Sequence, residues 1–539
     1  MKPPPRVLVD SRRSVVEKSL RSALKLPLAL LFLLSAVTPE RLQIPDTNVK
    51  GAVSIPKMRS AVLSFATLAA AAQLVAAEIS TPFSPPSTSP TSQTTNYTGA
   101  SNGTLTNGPI VAGKSFDRFI QIWLENTDFA TAASSPTFQK LAGEGVTLTS
   151  YYGVTHPSEP NYIAAATGDF FGLDNDQFRA LPKNVSTIVD LLEAKNISWA
   201  SYQENMPYDG FTGFNYTETN YLTGNASQHY TYYVRKHNPT IICNSIAGVE
   251  SRGLRHRNFN DLAADVTASK VPQWVFITPN LVNDAHDTNI DFTSAWLEYF
   301  LVPLLQNPNF NDNRTLILLT FDENETYTIA NQIWTLALGG ALPSSLMNKT
   351  DDNYYTHYSS LSTVEANWGL GTLGRGDANK TMNNVYSWVA NATNVSLNGL
   401  TGNSTLPLTN LTGVFPGPLN ADQWTPVLAP AFLNATSPTG GAIFVDASVD
   451  RSLASFTPIN LTALGASTPQ SVDPGFDYSS GKLILASVAN ATTTSSSARG
   501  TATGSTVAAS TTTKSSASGA EKLVIPATGL LAAALGLVL

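Results

Sequence analysis

Apolar residues in this chain come in short, nearly unbroken runs, with longer stretches of helical spacing between them. RFIQIWLEN (118–126), VTLTSYYGV (146–154), ISWASYQE (197–204), PQWVFITPN (272–280), RTLILLTFDEN (314–324) and QIWTLALGG (332–340) are rich in β-branched and aromatic residues and predict strands. SPTFQKLAGEG (135–145), STIVDLLEAKN (186–196), NFNDLAADVTAS (258–269) and TSAWLEYFLVPLLQN (293–307) predict helices, and LSTVEANWGLG (361–371) opens another. Strands that are apolar throughout and alternate with helices imply an α/β fold, a mostly parallel sheet with helices on both faces. In such sheets ligands bind beyond the carboxyl ends of the strands.

The alternation occupies residues 114–385 and fades on either side. Residues 78–113, rich in Ser, Thr, Pro, Asn and Gly, read as a flexible leader, and 386–490 as a small β-rich C-terminal appendage followed by a Ser/Thr-rich stalk (491–520). MRSAVLSFATLAAAAQLVAA (58–77) has the layout of a secretory signal peptide, which makes 1–57 a gene-model extension or an unprocessed leader. The terminal apolar run within 521–539 follows small residues, as in a GPI-attachment signal. Numerous Asn-x-Ser/Thr sequons fit a glycosylated product, secreted and anchored at the cell surface or wall. The single cysteine, Cys243, allows no intramolecular disulfide. A net charge of −7 without any Lys/Arg run excludes nucleic acid as the expected partner and leaves the lipid anchor as the only expected membrane contact.

Chemistry-bearing residues stand just past the predicted strands: Glu125 and Asn126; His156, Ser158 and Asn161 in THPSEPNY; Asp284, His286 and Asp287 in NDAHD; Asp322 and Glu323; and His357 in a further loop. Any one of these has a bland reading as a cap or a solvated charge. Several carboxylates buried together repel one another unless a cation neutralises them. Carboxylate, amide and hydroxyl oxygens in combination suit a hard or borderline divalent ion. A serine is a poor nucleophile until a base or a metal activates it. The helix expected to begin at YIAAATG favours an anion at its N-terminus, where Asn161 could donate to one anion oxygen. Ser158 is therefore expected to be a nucleophile facing a phosphate or sulfate. GLGTLG (369–374) follows a helix-like stretch instead of a strand and is set aside as a dinucleotide motif, as is RGD (375–377) as an adhesion signal. The sequon at Asn324 adjoins Asp322–Glu323 and is expected to stay unglycosylated.

GVTHPSEPNYIAAATGD, with LENTDF, RKHNP, PNLVNDAHD, TFDEN and WGLGTLGRGD in the same order, resembles the phosphoesterase family of the alkaline-phosphatase-like superfamily, and within it the secreted fungal acid phosphatases. The resemblance implies an alkaline-phosphatase-like core and hydrolysis of small phosphorylated substrates through a phosphoserine at Ser158. It implies that Glu125, Asn126, Asp322 and Glu323 hold a divalent metal with Ser158, and that His156, His286 and His357 surround the phosphate. Asp284 or Asp287 would orient a histidine or complete a second metal site, and Arg235, Lys236 and His237 would lend positive charge to the substrate. Two-metal members carry an Asp-His pair where Asp322–Glu323 stands and an Asp where Glu125 stands, so one metal is expected here. A histidine-rich pocket binds phosphate best when protonated, which predicts an acid optimum. A diester-cleaving enzyme is the alternative within the same chemistry, and an inactive anchored wall glycoprotein the alternative outside it.

Overall fold

The computed structural model describes residues 99–452 apart from 221, 224, 226, 410 and 411, then 457–464 and the strand pair Phe476–Asp477 and Lys482–Leu483. The expected signal segment, the stretch before it, the stalk and the anchor tail lie outside the described residues.

The strands are β1 (Arg118–Leu124), β2 (Val146–Leu148), β3 (Tyr151–Tyr152), β4 (Trp199–Gln203), β5 (Asn215–Thr219), β6 (His229–Val234), β7 (His256–Arg257), β8 (Trp274–Thr278), β9 (Thr315–Phe321), β10 (Thr335–Leu338), β11 (Lys349–Asp351) and β12 (Tyr355–Thr356); the six apolar runs supply β1–β4 and β8–β10, and the other five lie outside them. Eight of them form one sheet in the order β11-β2-β10-β9-β1-β8-β4-β7. Every pairing in it is parallel except those of β10 with β9 and β2. The link from β9 to β10 contains no helix to serve as a crossover, so β10 returns antiparallel. Strands β4, β8 and β9 are buried at every residue, as strands covered on both faces must be.

Two departures from the sequence reading shape the site. VTLTSYYGV is two strands: β2 stays in the main sheet, while β3 leaves it and pairs in parallel with β12. Each of this second pair leads into a buried helix, Ser158–Thr167 after β3 and His357–Trp368 after β12. The first helix was expected from Tyr162 but already starts at Ser158. Pro160 lies in its first turn, where a missing N–H breaks no intrahelical bond, and Gly168 ends it at φ 77°. The second helix starts before Leu361 because Thr356 and Ser359 form a capping box.

The flanking segments are laid on this unit. Residues 99–113, the end of the expected flexible leader, run from the helix Phe259–Thr267 to the start of β8. There the backbone N–H groups of Asn102, Leu105 and Val111 donate to Asp261, Asp265 and Gln273 at 3.0, 2.7 and 2.9 Å. Within 386–490 the described residues show the α-helix Ser387–Thr393, the 3₁₀ turn Thr462–Leu464, isolated bridges and the hairpin Phe476–Asp477/Lys482–Leu483, with irregular chain between them. Its Asn, Thr, Pro and Gly favour turns over long strands, and it is held by contacts such as Asn420 Nδ2 to the Gly172 carbonyl at 2.9 Å. Arg375 and Asp377 of the RGD triplet are buried, with Arg375 Nη1 donating to the carbonyls of Thr167 and Ser186. Among the described residues no helix is long and apolar enough to cross a membrane.

Buried acids away from the site give the fold a pH dependence. Burial pushes Glu204 up to about 7, and burial together with Asp261 pushes Asp209 up to about 8; burial also holds Glu365 well above the carboxylate range. Folding takes up protons at such groups, so their contribution is complete below the unfolded carboxylate range and is lost as pH rises through the folded value. His256, lowered by burial to about 4, opposes this between pH 6.5 and 4. Three acids against one histidine should make the protein melt higher near pH 5 than near pH 8. Glu204→Gln should flatten the profile, with Glu204 alone worth about 3 kcal/mol. Melting that is indifferent to pH across this range would refute the assignment of neutral buried acids.

Candidate active site

The β1–β9 register aligns Leu124 with Phe321, so Glu125 and Asp322 emerge side by side from the carboxyl ends of adjacent central strands. Two backbone bonds lock them: Asp322 N to Leu124 O at 3.0 Å, and Glu125 N to Asp284 O at 2.8 Å, which draws in the loop after β8. The helix from Ser158 delivers two hydroxyls to one carboxylate. Ser158 Oγ donates to Glu125 Oε2 at 3.1 Å and Tyr162 OH to Oε1 at 2.7 Å. His237 completes this side, with Nε2 3.0 Å from Glu125 Oε1 and Nδ1 3.6 Å from Asp284 Oδ2. On the other side Glu323 receives Asn126 Nδ2 at 2.7 Å and lies 2.8 Å from His156 Nδ1. The His156–Pro157 peptide is cis.

All four carboxylates, Glu125, Asp284, Asp322 and Glu323, are buried. Burial pushes Asp284 up to about 6, and holds Asp322 and Glu323 above their usual range, with the charge of Glu125 adding to each. Glu125 goes the other way: burial opposes its charge, but His237 beside it, with His286 and Lys236, holds it well below the usual range. Asn126 Oδ1, Asp284 Oδ2 and Asp322 Oδ2 are buried without a hydrogen-bond partner, the condition of oxygens shaped for a cation. Ligand atoms of Glu125, His237 and Asp284 lie within 4.8 Å of one another. The residues present therefore fit a divalent ion among Glu125, Asn126, Ser158, Asp284, Asp322 and Glu323, with His237 as a further donor.

Other expected residues take different positions. His286 stands at the rim, its side chain 31% exposed, with Nδ1 2.7 Å from Asp287 Oδ1. Burial works against its charge, but the Asp287 hydrogen bond and the carboxylates of Glu125 and Asp284 outweigh it and raise it to about 9. Asp287 also receives Tyr230 OH from β6 and so orients a histidine, apart from the buried carboxylates. Lys236 reaches the rim and pairs with Asp176 at 2.9 Å. Arg235 does not face the rim. Its guanidinium donates to the carbonyls of Arg179 and Ile241 and lies 4.1 Å over the Phe178 ring, because the 3₁₀ turn Arg235–His237 points successive side chains in different directions. Asn161 is consumed by the turn before Ser158: it accepts from Val154 N and Thr155 N and donates to Thr155 O and Glu323. His357 is buried against Trp123, ring centroids 4.2 Å apart, and its Nε2 lies 2.6 Å from the Asp322 carbonyl; burial lowers it to about 4, so it braces Asp322 as a neutral ring.

Sequence reasoning missed Tyr162, Asp176, Tyr230 and Tyr327. Tyr162 was visible in principle, since it follows Ser158 by four residues on one helix and so shares its face. Asn324 is buried, its amide donating to Asp128 and to Thr326 O, so the sequon there is sequestered. A cleft of about 400 Å³ near Lys380 and Asn398 lies away from the serine and carries none of these groups.

A profile of the Phosphoesterase family matches residues 70–371. The chain is 47% identical over 317 residues to an acid phosphatase of Aspergillus fumigatus, a match covering 58% of this chain and 67% of that protein. It is 49% identical over 286 residues to a probable acid phosphatase of Kluyveromyces lactis, covering 53% of this chain and 65% of that one. A solved protein of the alkaline phosphatase superfamily from Vibrio parahaemolyticus is 12% identical with a TM-score of 0.31, over 48% of this chain and 67% of that chain.

Proposed function

The chain belongs to the Phosphoesterase family, and from that premise we propose that it is an acid phosphatase hydrolysing phosphate monoesters through a phosphoserine at Ser158. One observation carries the reading: a serine hydroxyl at a helix start, hydrogen-bonded to a buried carboxylate between two histidine-bearing flanks. Ser158 Oγ passes its proton to Glu125 Oε2 and forms the bond to phosphorus as the ester P–O bond breaks with its electron pair on the departing oxygen. His286, at the rim and held by Asp287, gives that oxygen its proton. Lys236, at the rim, receives the phosphoryl oxygens. Water then attacks phosphorus and gives a proton to His286, the P–Oγ bond breaks, and Glu125 returns the proton to the serine as phosphate leaves. A divalent cation among the orphaned oxygens would neutralise the carboxylates and acidify the serine hydroxyl. The signal-like segment 58–77 and the sequons support a secreted enzyme, and the tail within 521–539 supports a lipid anchor.

The test is hydrolysis of p-nitrophenyl phosphate and of its bis ester by the purified chain across acid and neutral pH. The monoester should be cleaved faster, with an optimum on the acid side. Preference for the bis ester would replace this reading with a diesterase, and turnover of neither would leave the glycoprotein alternative.

A further inference from the structure

The mouth of the site has an apolar side that the proposed reaction leaves unused. Tyr327 and Ile329, on the loop after Glu323, are 46% and 50% exposed. The loop is braced where it turns. Asp128 accepts from Thr326 N at 2.9 Å and from Thr326 Oγ1 at 2.7 Å, and Asn324 Nδ2 donates to Thr326 O at 2.8 Å. Tyr327 lies nearly flat on His156, ring centroids 3.9 Å apart and planes 29° apart, and its hydroxyl donates to Glu323 Oε1 at 3.3 Å. The ring is thus fixed by two buried groups of the site while almost half of its surface meets solvent.

Asp176 shows where Lys236 stands relative to the serine. Its Oδ1 accepts from the backbone N–H of Glu159, the neighbour of Ser158, at 3.0 Å, and its Oδ2 pairs with Lys236 at 2.9 Å. Tyr327 is placed by its stacking on His156, two residues before Ser158. Lys236, through Asp176, and Tyr327, through His156, are each anchored within two residues of Ser158, one cationic and one aromatic. A phosphate dianion takes the cationic side, and the alcohol half of the ester, which must project outward, meets the aromatic side. A ring already held in place loses little freedom when a second flat group stacks on it.

We propose that Tyr327, with Ile329 on the same loop, is the platform for the leaving group. It tunes the enzyme toward phosphate esters of aromatic or flat apolar alcohols over those of small aliphatic alcohols. The proposal rests on the monoesterase reading above. The competing role for Tyr327 is to hold His156 and Glu323, which would affect every substrate alike.

The experiment measures kcat/KM on phenyl phosphate and on glycerol 2-phosphate for the wild type and for Y327A, Y327L and Y327F. Comparing each variant with the wild type cancels the intrinsic difference between the two leaving groups. Y327A and Y327L should lower the aryl-to-alkyl ratio by about fivefold, chiefly through KM for the aryl ester, and Y327F should hold the ratio within about twofold. Y327L keeps bulk over His156 without a flat ring, so it reads stacking even if Y327A does not fold. An equal loss on both substrates, or an unmoved ratio, overturns the platform while leaving the monoesterase reading intact. A wild type that cleaves neither ester overturns that reading, and the platform with it.

Discussion

Ser158→Ala is expected to remove phosphate release by on the order of 10⁴-fold while the folded state persists. Among the hydroxyls brought to Glu125, that of Ser158 begins a helix, as the proposed nucleophile must, whereas Tyr162 OH belongs to a ring packed on Trp123 with centroids 5.1 Å apart. The structural cost is contained. Glu125 loses the donor at Oε2 but keeps Tyr162 and His237 at Oε1. A buried acceptor deprived of one partner costs about 1–3 kcal/mol, a shift of a few degrees in a domain this large. Turnover should be measured together with the melting temperature and with the intact mass after acid quench. The wild type should carry an added phosphoryl group under turnover, and the variant none. Retained turnover, or a phosphorylated variant, would move the nucleophile elsewhere and take the mechanism with it.

The sequence made the strand ends legible because apolar runs stop where the carboxylates begin, as in TLILLTFDEN and RFIQIWLEN. It could not make the register legible. That Leu124 stands opposite Phe321, bringing Glu125 beside Asp322, follows from the order of strands in the sheet, on which a run of apolar residues is silent. The same limit explains the residues whose positions differ from expectation. Asn161, His357 and Arg235 have the right chemistry near the right strands, but direction decides their use: toward the preceding turn, the Asp322 carbonyl and the Arg179 carbonyl. Pro160 sits in the first turn, where a proline permits the helix that presents Ser158. Tyr230 arrives from the β5–β6 hairpin, a pair of strands that the apolar runs did not mark, so hydrophobic patterning gave no sign of it.

Withdrawal of divalent cations should lower activity by at least about 100-fold and also lower the melting temperature, with both restored when a divalent ion is returned. The argument is electrostatic. Glu125, Asp284, Asp322 and Glu323 are all buried, and the basic side chains facing them are His156, His237, His286 and Lys236. Two of these carboxylates and the Asn126 amide each present an oxygen with no donor. Without a cation the cluster must take up protons, as the upward displacement of Asp284, Asp322 and Glu323 indicates. A ligand bound only by the folded state stabilises it by about 3 kcal/mol when present at a hundred times its Kd. Asp322→Asn keeps the size of the side chain but removes a charge from the cluster, so it should weaken metal retention measured by elemental analysis. Asp287→Asn, which alters a partner of His286 outside the cluster, should leave metal content near one ion per chain while lowering kcat. If exhaustive chelation removes no activity and elemental analysis finds no ion, the carboxylates share protons instead, and Glu125 becomes the base that must activate Ser158 unaided.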